Sequence, residues 1–248
     1  MEIKKVFLQL FEELLNTGEI LKAQYLINNC VPLDIKYDPQ VIDVKNKVNE
    51  HINEIKKWNI DGRPYPGTHV TVDFNLMPKF VKAKDVIINR NLSGNLLDVG
   101  CYTGVFMQEM AKLNIVCHGI DIHAELMFHL EDNGTDKNIK YIFGSSENMQ
   151  SLDSDYFDIV TTFDVLEHTL DFDKSLSEIE RVCKSGGIII INLPRMTIGY
   201  KDESGEHLRM FDDESINNIW GNKKDFKFEF CSDELGRPTS FITYINEK

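Results

Sequence analysis

The sequence predicts an α/β fold, a doubly wound parallel sheet with helices on both faces, preceded by an N-terminal helical segment. Three observations predict it. Apolar residues recur at helical spacing from Ile3 to about Trp58, strand-like and helix-like segments alternate from about residue 77, and two strand-like segments close the chain. With 248 residues and 42% apolar content, the chain can bury one sizeable core and still carry an accessory segment.

The N-terminal segment, residues 1–60, is predicted to form three helices whose breaks fall at Gly18 and Pro32. Exposed apolar helix faces need a cover, so we expect them to pack on the next domain or on a second subunit of a homodimer. A lid over a substrate is the alternative. The stretch NIDGRPYPGT that follows has two glycines and two prolines, so we set a linker at 61–76 and the main domain at 77–248.

In the main domain, strand-like and helix-like segments alternate. Strands are predicted near 95–100, 115–121, 139–143, 157–163 and 187–193, and helices near 77–90, 104–113, 123–132 and 171–183. Because these strands are rich in Ile, Val and Leu, we predict a parallel sheet covered on both faces. A helix near 212–220 and strands near 225–231 and 238–246 follow. The loop between the last two strands is too short for a crossover helix, so they should pair antiparallel.

Composition and charge restrict the partners. The formal charge of -13, from 40 acids against 27 bases, disfavours a nucleic-acid or anionic membrane surface, because both need a basic footprint. The five cysteines are scattered and form no CxxC pair, which indicates reduced thiols and no zinc knuckle. No secretory signal pattern appears, and no apolar run approaches the roughly 20 residues of a membrane span. We therefore expect a cytoplasmic protein that acts on a small molecule.

The stretch LLDVGCYTG, residues 96–104, is the most informative motif. An apolar strand ends at Asp98 and Val99, and Gly100 and Gly104 follow just before a helical pattern. Such a turn lets a ligand lie against bare backbone at a helix N-terminus. The next predicted strand also ends in an acid, Asp121, which can accept hydrogen bonds from both hydroxyls of a ribose. The two strand ends together predict a nucleotide-like ligand.

Three further motifs follow in order along the chain. The full series is LLDVGCYTG (96–104), GIDIHAE (119–125), FGSSENM (143–149), FDIVTTFDVLEH (157–168) and RVCKSGGIIIINLP (181–194). In this order it resembles the motif set of class I S-adenosylmethionine-dependent methyltransferases, over the region from Met77 to Lys248. The resemblance implies a Rossmann-like seven-stranded sheet with an antiparallel last strand. It also implies S-adenosylmethionine as the cofactor and methyl transfer as the activity.

The resemblance also assigns residues to the cofactor. Asp98 would place a negative charge near the ammonium and sulfonium groups, and Asp121 would bind the ribose. Ser145 and Ser146 would lie beside the adenine, and Ile122 would pack on its face. The complete predicted cofactor set is Asp98, Gly100, Cys101, Gly104, Asp121, Ile122, Ser145, Ser146 and Phe163. Two positions depart from the family pattern, which often has glycine in place of Tyr102 and aspartate in place of Ser145.

The predicted catalytic residues are His207, His168 and Glu167. A hydroxyl that attacks the sulfonium methyl must lose its proton near neutral pH, and histidine suits that task. His168 follows the fourth strand, at the edge where ligands of such sheets converge; a structural role at a helix start is its alternative. Asp164-x-x-Glu167-His168 with His207 also resembles the divalent-ion site of certain small-RNA methyltransferases. Because the same Leu-Glu-His sequence occurs in many metal-free relatives, we predict that no metal ion is bound.

We predict O-methylation of a small molecule. The segment 207–211 is similar to those of methyltransferases that act on a sugar or nucleotide-linked sugar, and Arg195 and Arg209 would pair with a phosphate or carboxylate of the acceptor. The alternatives are a quinone-like or phenolic O-methyltransferase, an RNA 3'-end methyltransferase with a divalent metal, and a catalytically silent binding protein. A nicotinamide-dependent oxidoreductase needs a GxGxxG turn, which Gly100 and Gly104 do not provide.

Overall fold

In the computed structural model, the main domain is a seven-stranded sheet with helices on both faces. The structure describes residues 2–16, 31, 35–58, 73–123, 126–127, 130–131, 134, 136–195, 207–233 and 236–248. The strands are β1 (Asn95–Val99), β2 (Val116–Asp121), β3 (Ile139–Phe143), β4 (Phe157–Phe163), β5 (Cys183–Pro194), β6 (Lys224–Ser232) and β7 (Pro238–Ile245). The helices with defined bounds are α1 (Glu2–Asn16), α2 (Pro39–Trp58), α3 (Pro78–Asn89), α4 (Val105–Ala111), α5 (Phe172–Val182) and α6 (Asp213–Trp220), with 3-10 turns at Phe74–Leu76 and Leu166–His168.

The sheet has the strand order β3-β2-β1-β4-β5-β7-β6. The first five strands pair parallel, so their carboxyl ends meet at one edge. The strand order reverses between β1 and β4. In open sheets of this kind, ligands bind outside the carboxyl ends of the strands at such a point. β7 is antiparallel to both β5 and β6. The predicted fold class, including the antiparallel last strand, is confirmed.

Each face of the sheet is covered by its own apolar core. Leu96 and Ile159 pack with residues of α3 and α4 on one face, whereas Leu97 and Val160 pack with residues of α5 and α6 on the other. This division follows from the alternation of side chains along a strand. Asp98 is two residues after Leu96, so it lies on the α3 and α4 face.

The fifth strand is longer than predicted. It begins at Cys183 rather than near residue 187, and its register with β4 shifts between Phe157 and Ile159. Gly186, at φ +84°, lies in this irregular part in a conformation that favours glycine. A strand interrupted by Ser-Gly-Gly reads as a loop in the sequence, which explains the difference. The helix predicted near 123–132 is described only at 126–127 and 130–131, which are helical.

The N-terminal segment is described in two of its three predicted helices. α1 and α2 contact each other, and Phe11 and Val48 are fully buried. The predicted helix near residues 20–27 and most of the predicted linker, 59–72, lie outside the described residues. None of the helices that the structure describes is long and apolar enough to cross a membrane.

The three-part division of the chain stays a prediction, but packing in the main domain begins slightly before residue 77. Phe74, in the 3-10 turn ahead of α3, is 7% exposed and belongs to the core on the α3 and α4 face. Its ring centroid lies 6.0 Å from that of Phe80 and 6.4 Å from that of Phe106. The last residues of the predicted linker are therefore already part of the domain.

Candidate functional site

The turn between β1 and α4 combines three residues in the left-handed conformation. Gly100 and Gly104 have φ values of +77° and +73°, and Tyr102 has a φ of +48°. A Cβ atom on Gly100 would clash with the side chain of Val165, and one on Gly104 with the ring of Tyr141. Glycine is therefore needed for space as well as for conformation at both positions. Tyr102 takes up the backbone geometry that glycine adopts most easily.

A pocket of about 170 Å³ lies against this turn. Its lining residues are Met77, Lys79, Phe80, Asp98, Gly100, Cys101, Tyr102, Thr103, Val105 and Phe163. Four members of the predicted cofactor set, Asp98, Gly100, Cys101 and Phe163, therefore line one pocket. Phe163 packs edge-on against Phe80, with ring centroids 5.0 Å apart, so the pocket has both an acidic and an aromatic wall.

Asp98 is the acidic group of this pocket. It is 3% exposed, and its Oδ1 accepts a hydrogen bond of 2.7 Å from the hydroxyl of Thr161. Burial raises the pKa of Asp98 to about 7, and the charge of Asp121 adds to the rise, whereas the bond from Thr161 opposes it. A positively charged ligand in the pocket would stabilise the ionised form.

Asp121, at the end of β2, joins the two strand ends. Its Oδ2 accepts a hydrogen bond of 2.8 Å from the amide of Tyr102. Its Oδ1 lies 2.9 Å from the amide nitrogen of His123 and 2.7 Å from Nδ1 of the same residue. The carboxylate therefore fixes the turn after β1 relative to β2, and the left-handed backbone of Tyr102 brings its amide within reach.

The predicted adenine residues lie beyond β2 and β3. The hydroxyl of Ser145 accepts a hydrogen bond of 3.1 Å from the amide of Glu147. The hydroxyl of Ser146 lies 3.0 Å from that of Ser175 in α5, so this side chain is engaged in packing. Ile122 is half-buried. None of the three adenine residues is in the described lining of the pocket, so their contact with adenine stays a prediction.

The sequence did not single out Lys79, which the structure places in the pocket. Lys79 is 5% exposed, at the start of α3, and it forms an ion pair with Asp164. Its charge lowers the pKa of Asp98 and of Glu167. A lysine in the first turn of a helix is unfavourable to the helix dipole, and this was the available signal that it serves a tertiary role.

Glu167, His168 and His207 are brought together although forty residues separate the first two from the third. Glu167 and His168 lie in the 3-10 turn after β4. The backbone amide of Leu208 donates a 2.9 Å hydrogen bond to the carbonyl of Glu167, which holds the neighbouring His207 beside the turn. The two imidazole ring centroids lie 5.0 Å apart, and ligand atoms of all three residues lie within 4.8 Å of one another.

Glu167 has an unusual environment for a carboxylate. Its side chain is fully buried, and neither carboxylate oxygen has a hydrogen-bond partner among the described residues. Oε1 lies 3.8 Å from Nε2 of His168. Burial raises the pKa of Glu167 well above its usual range, and the charge of Asp164 adds to the rise. A buried carboxylate without donors is costly, so this position favours a proton or a cation as its partner.

The two arginines expected to meet the acceptor are both engaged within the protein. Arg209 donates to the carbonyls of Leu166, Thr169 and Leu170, so it holds the turn after β4 in place. Arg195 pairs with Asp213, and its guanidinium carbon lies 3.7 Å from the ring centroid of Phe230. Arg195 also forms an isolated parallel bridge with Phe211, so the chain leaves β5 and returns before α6 at the same place.

Parts of this chain are similar to known methyltransferases. Residues 97–191 match a family model described as a methyltransferase domain. The chain is 28% identical over 101 residues to the ubiquinone biosynthesis O-methyltransferase of Shewanella sp. (strain ANA-3), covering 39% of this chain and 42% of the relative. It is 25% identical over 154 residues to the Methylococcus capsulatus protein of the same name, covering 58% and 62%. The chain thus spans about half the length of the curated relatives it matches.

Solved structures show the same fold. The N-methyltransferase NodS from Bradyrhizobium japonicum, in complex with S-adenosyl-L-homocysteine, matches with a TM-score of 0.60 and 13% identity, covering 79% of this chain and 100% of that one. Phosphoethanolamine N-methyltransferase 2 from Haemonchus contortus, in complex with S-adenosyl-L-methionine, matches with a TM-score of 0.58 and 14% identity, covering 89% and 61%. At such identities the likeness concerns the fold alone.

Proposed function

Since this chain belongs to the class I S-adenosylmethionine-dependent methyltransferases, we propose that it transfers the methyl group of that cofactor to a hydroxyl oxygen of a small molecule. The predicted family is supported by the family model and by the curated relatives. S-adenosylmethionine, the cofactor of that family, is therefore the cofactor that we assign to this chain. The observation that carries the proposed O-directed transfer is the meeting of Glu167, His168 and His207 after β4. They lie at the edge of the sheet where the crevice beside β1 opens.

The cofactor half of the reaction is assigned to the ends of β1 and β2. Asp98 faces the positively charged methionine end of the cofactor, and the backbone at Gly100 allows a close approach. Asp121 accepts hydrogen bonds from the ribose hydroxyls. Lys79 lies in the same pocket and offers a cation to the carboxylate of the cofactor. These contacts would hold the methyl group in line with the acceptor.

The acceptor half supplies the base. The acceptor hydroxyl gives its proton to the imidazole of His207 or His168, and its oxygen forms the new bond to the methyl carbon as the carbon–sulfur bond breaks. The sulfonium thereby becomes the neutral thioether of S-adenosylhomocysteine. Glu167, 3.8 Å from His168, stabilises the imidazolium that forms. A structural role for His168 predicts instead that only His207 affects turnover.

A phenolic or quinol-like hydroxyl is the acceptor that we favour. The curated relatives bear the name ubiquinone biosynthesis O-methyltransferase, which supports this choice over the sugar or nucleotide-linked sugar expected from the segment 207–211. A phenol ionises near pH 10, so it yields its proton to an imidazole more readily than an aliphatic hydroxyl does.

A divalent cation at the same place is the second candidate. It is supported by the three ligand atoms that lie within 4.8 Å of one another and by the two oxygens of Glu167 that have no hydrogen-bond donor among the described residues. A site of one carboxylate and two imidazoles could hold a manganese-like or magnesium-like ion, but it is less selective for these ions than an all-oxygen site. The test is turnover after exhaustive chelation and again after addition of Mg²⁺ or Mn²⁺. Activity that survives chelation would leave the imidazole base as the mechanism.

The experiment that tests the proposed function has two stages. Titration calorimetry with S-adenosylmethionine should give saturable binding, and absence of binding would contradict the family-level site. A panel of catechols, quinols, sugars and a short RNA is then screened for formation of S-adenosylhomocysteine. Turnover with the phenolic members supports the proposal, whereas turnover with the sugars alone or the RNA alone would replace it. Binding without turnover on any member would favour a catalytically silent binding protein.

A further inference from the structure

We propose that the side chain of His123 competes with one ribose hydroxyl of the cofactor for the carboxylate of Asp121. It must move off before the ribose can bind with both hydroxyls. This inference rests on the proposed role of Asp121 as the ribose acceptor. His123 then acts as a positioning residue, because it sets how much of the carboxylate is open to the cofactor.

The carboxylate of Asp121 can accept only a limited number of hydrogen bonds. An ionised carboxylate offers about four lone-pair directions. Three donors from the protein already reach Asp121: the amide of Tyr102 at 2.8 Å, and the amide and Nδ1 of His123 at 2.9 Å and 2.7 Å. A ribose diol brings two further O–H donors. Five donors exceed the capacity of the carboxylate, so one of the three protein donors has to leave.

Of the three protein donors to Asp121, the imidazole of His123 is the one that can leave. The amide of Tyr102 is part of the turn that is tied to β2, because the amides of Gly100 and Cys101 lie 2.7 Å and 3.2 Å from the carbonyl oxygen of Ile120. The amide of His123 belongs to the backbone directly after β2. The imidazole alone can withdraw by rotation about side-chain bonds, since 29% of the His123 side chain is exposed.

The hydrogen bond between Nδ1 of His123 and Asp121 has a defined direction, and the surroundings of the imidazole limit where the ring can move. An ionised carboxylate can only accept, so Nδ1 of His123 carries the proton in this contact. The ring stands edge-on to that of Tyr102, with centroids 6.1 Å apart and planes at 84°. Tyr102 therefore borders the imidazole on the side of the turn. Rotation of His123 toward solvent opens one lone-pair direction on Oδ1 without disturbing either amide.

The test uses His123→Phe, which keeps an aromatic ring beside Tyr102 and removes the Nδ1 donor. Calorimetry with S-adenosylhomocysteine should show binding about 3- to 10-fold tighter than in the wild type, since one competing hydrogen bond is removed. The same comparison with 2'-deoxy and 3'-deoxy analogues should lose the gain for the analogue that lacks the competing hydroxyl. His118→Phe, an imidazole packed against Tyr156 and Phe157, is the control and should leave affinity unchanged.

The outcomes separate this inference from the proposed function. If the wild type binds the ligand, Asp121→Asn weakens it, and His123→Phe is equal to or weaker than the wild type with every analogue, the inference is overturned and the proposed site stands. Failure of the wild type to bind would instead remove the proposed site. A structure of the wild type with S-adenosylhomocysteine provides a second measurement that needs no variant. Nδ1 of His123 should lie beyond hydrogen-bond distance, more than about 3.5 Å, from Asp121, and an intact bond beside two bound hydroxyls would overturn the inference.

Discussion

The two halves of the carboxyl edge are built in opposite ways. On the cofactor half, Asp98 and Asp121 each receive hydrogen bonds from the protein, and the turn that carries Gly100 has fixed backbone geometry. On the acceptor half, the buried carboxylate of Glu167 receives none from the described residues, and His207 comes from a distant part of the chain. The backbone of the proposed cofactor half is therefore formed before a ligand binds, with only the His123 side chain left to move, whereas Glu167 in the proposed acceptor half would obtain its partner from what binds there.

This difference predicts a division of labour between affinity and turnover. Groups already satisfied by the protein can hold a ligand with little rearrangement, so changes on the cofactor half should alter binding first. The carboxylate of Glu167 would gain a partner only when an acceptor, a proton or a cation arrives, so changes on the proposed acceptor half should alter the chemical step. Variants of both halves, measured for cofactor affinity and for turnover, therefore test whether the two properties are separate.

The largest expected effect is on turnover in His207→Ala. Loss of the base should lower kcat by about 10²- to 10⁴-fold, with the dissociation constant for S-adenosylmethionine within about twofold of the wild type. Single-turnover kinetics and calorimetry measure the two quantities. Leu208→Ala, at a 45% exposed neighbour, is the matched control and should retain most activity. An equal loss of cofactor binding in His207→Ala would show that the two halves are not separate.

The next effect is on cofactor affinity in Asp121→Asn. The substitution removes the charge that strengthens the bonds from the ribose, so the dissociation constant should rise about 10- to 100-fold. Equilibrium dialysis or calorimetry checks it. Asp136→Asn is a suitable control, because Asp136 is an exposed carboxylate that accepts a hydrogen bond from the amide of Asn138. Unchanged affinity in Asp121→Asn would remove the ribose from this position.

A smaller effect concerns pH, through Asp98. Its pKa is about 7 when folded and 3.8 when unfolded, so the folded state holds an extra proton between these values. Stability from this group is therefore present at low pH and is lost as pH rises toward 7. A cationic cofactor favours the ionised form, so binding near pH 7 should release about half a proton. Calorimetry in two buffers of different ionisation enthalpy measures it; identical enthalpies would contradict the assignment, and Asp98→Asn should abolish the release.

The smallest effect is expected for Tyr102→Gly. Glycine adopts a φ of +48° without the steric cost of a side chain, but it loses the ring contact with His123 and gains freedom in the unfolded chain. The free energy of unfolding should change by less than about 1 kcal/mol, as measured by urea denaturation. Cofactor affinity should stay within about threefold, because the amide at position 102 still donates to Asp121. A loss as large as that of Asp121→Asn would show that the ring itself binds the cofactor.

The cofactor half was predictable because its signals are local. Gly100 and Gly104 are needed for backbone conformation and space within a single turn, and Asp121 is the last residue of a strand. The parallel sheet followed from the alternation of elements, and the antiparallel pairing of β6 and β7 followed from one short loop. Each of these signals lies within a few residues of the feature that it predicts.

The remainder of the site depends on packing between distant segments. Lys79 has two further lysines on its own helix, and its ion pair with Asp164 spans 85 residues. Arg209 resembles a surface base in the sequence, yet its acceptors are carbonyls of a turn about 40 residues earlier. The sequence therefore suggested that Arg209 binds an anion of the acceptor, whereas in the structure Arg209 holds the turn after β4 through hydrogen bonds to its carbonyls. Such contacts become visible only when the sheet brings the segments together.

The bridge between Arg195 and Phe211 joins the end of β5 to the residues just before α6, so both ends of the intervening stretch are fixed at one place. Because that stretch starts and finishes at neighbouring points, substitutions or changes of length within it need not displace β5 or α6. The same bridge leaves the ends of β1 and β2, to which we assign the cofactor, unaffected by such changes. We therefore expect that substitutions between residues 195 and 211 alter the choice of methyl acceptor more readily than they alter cofactor affinity.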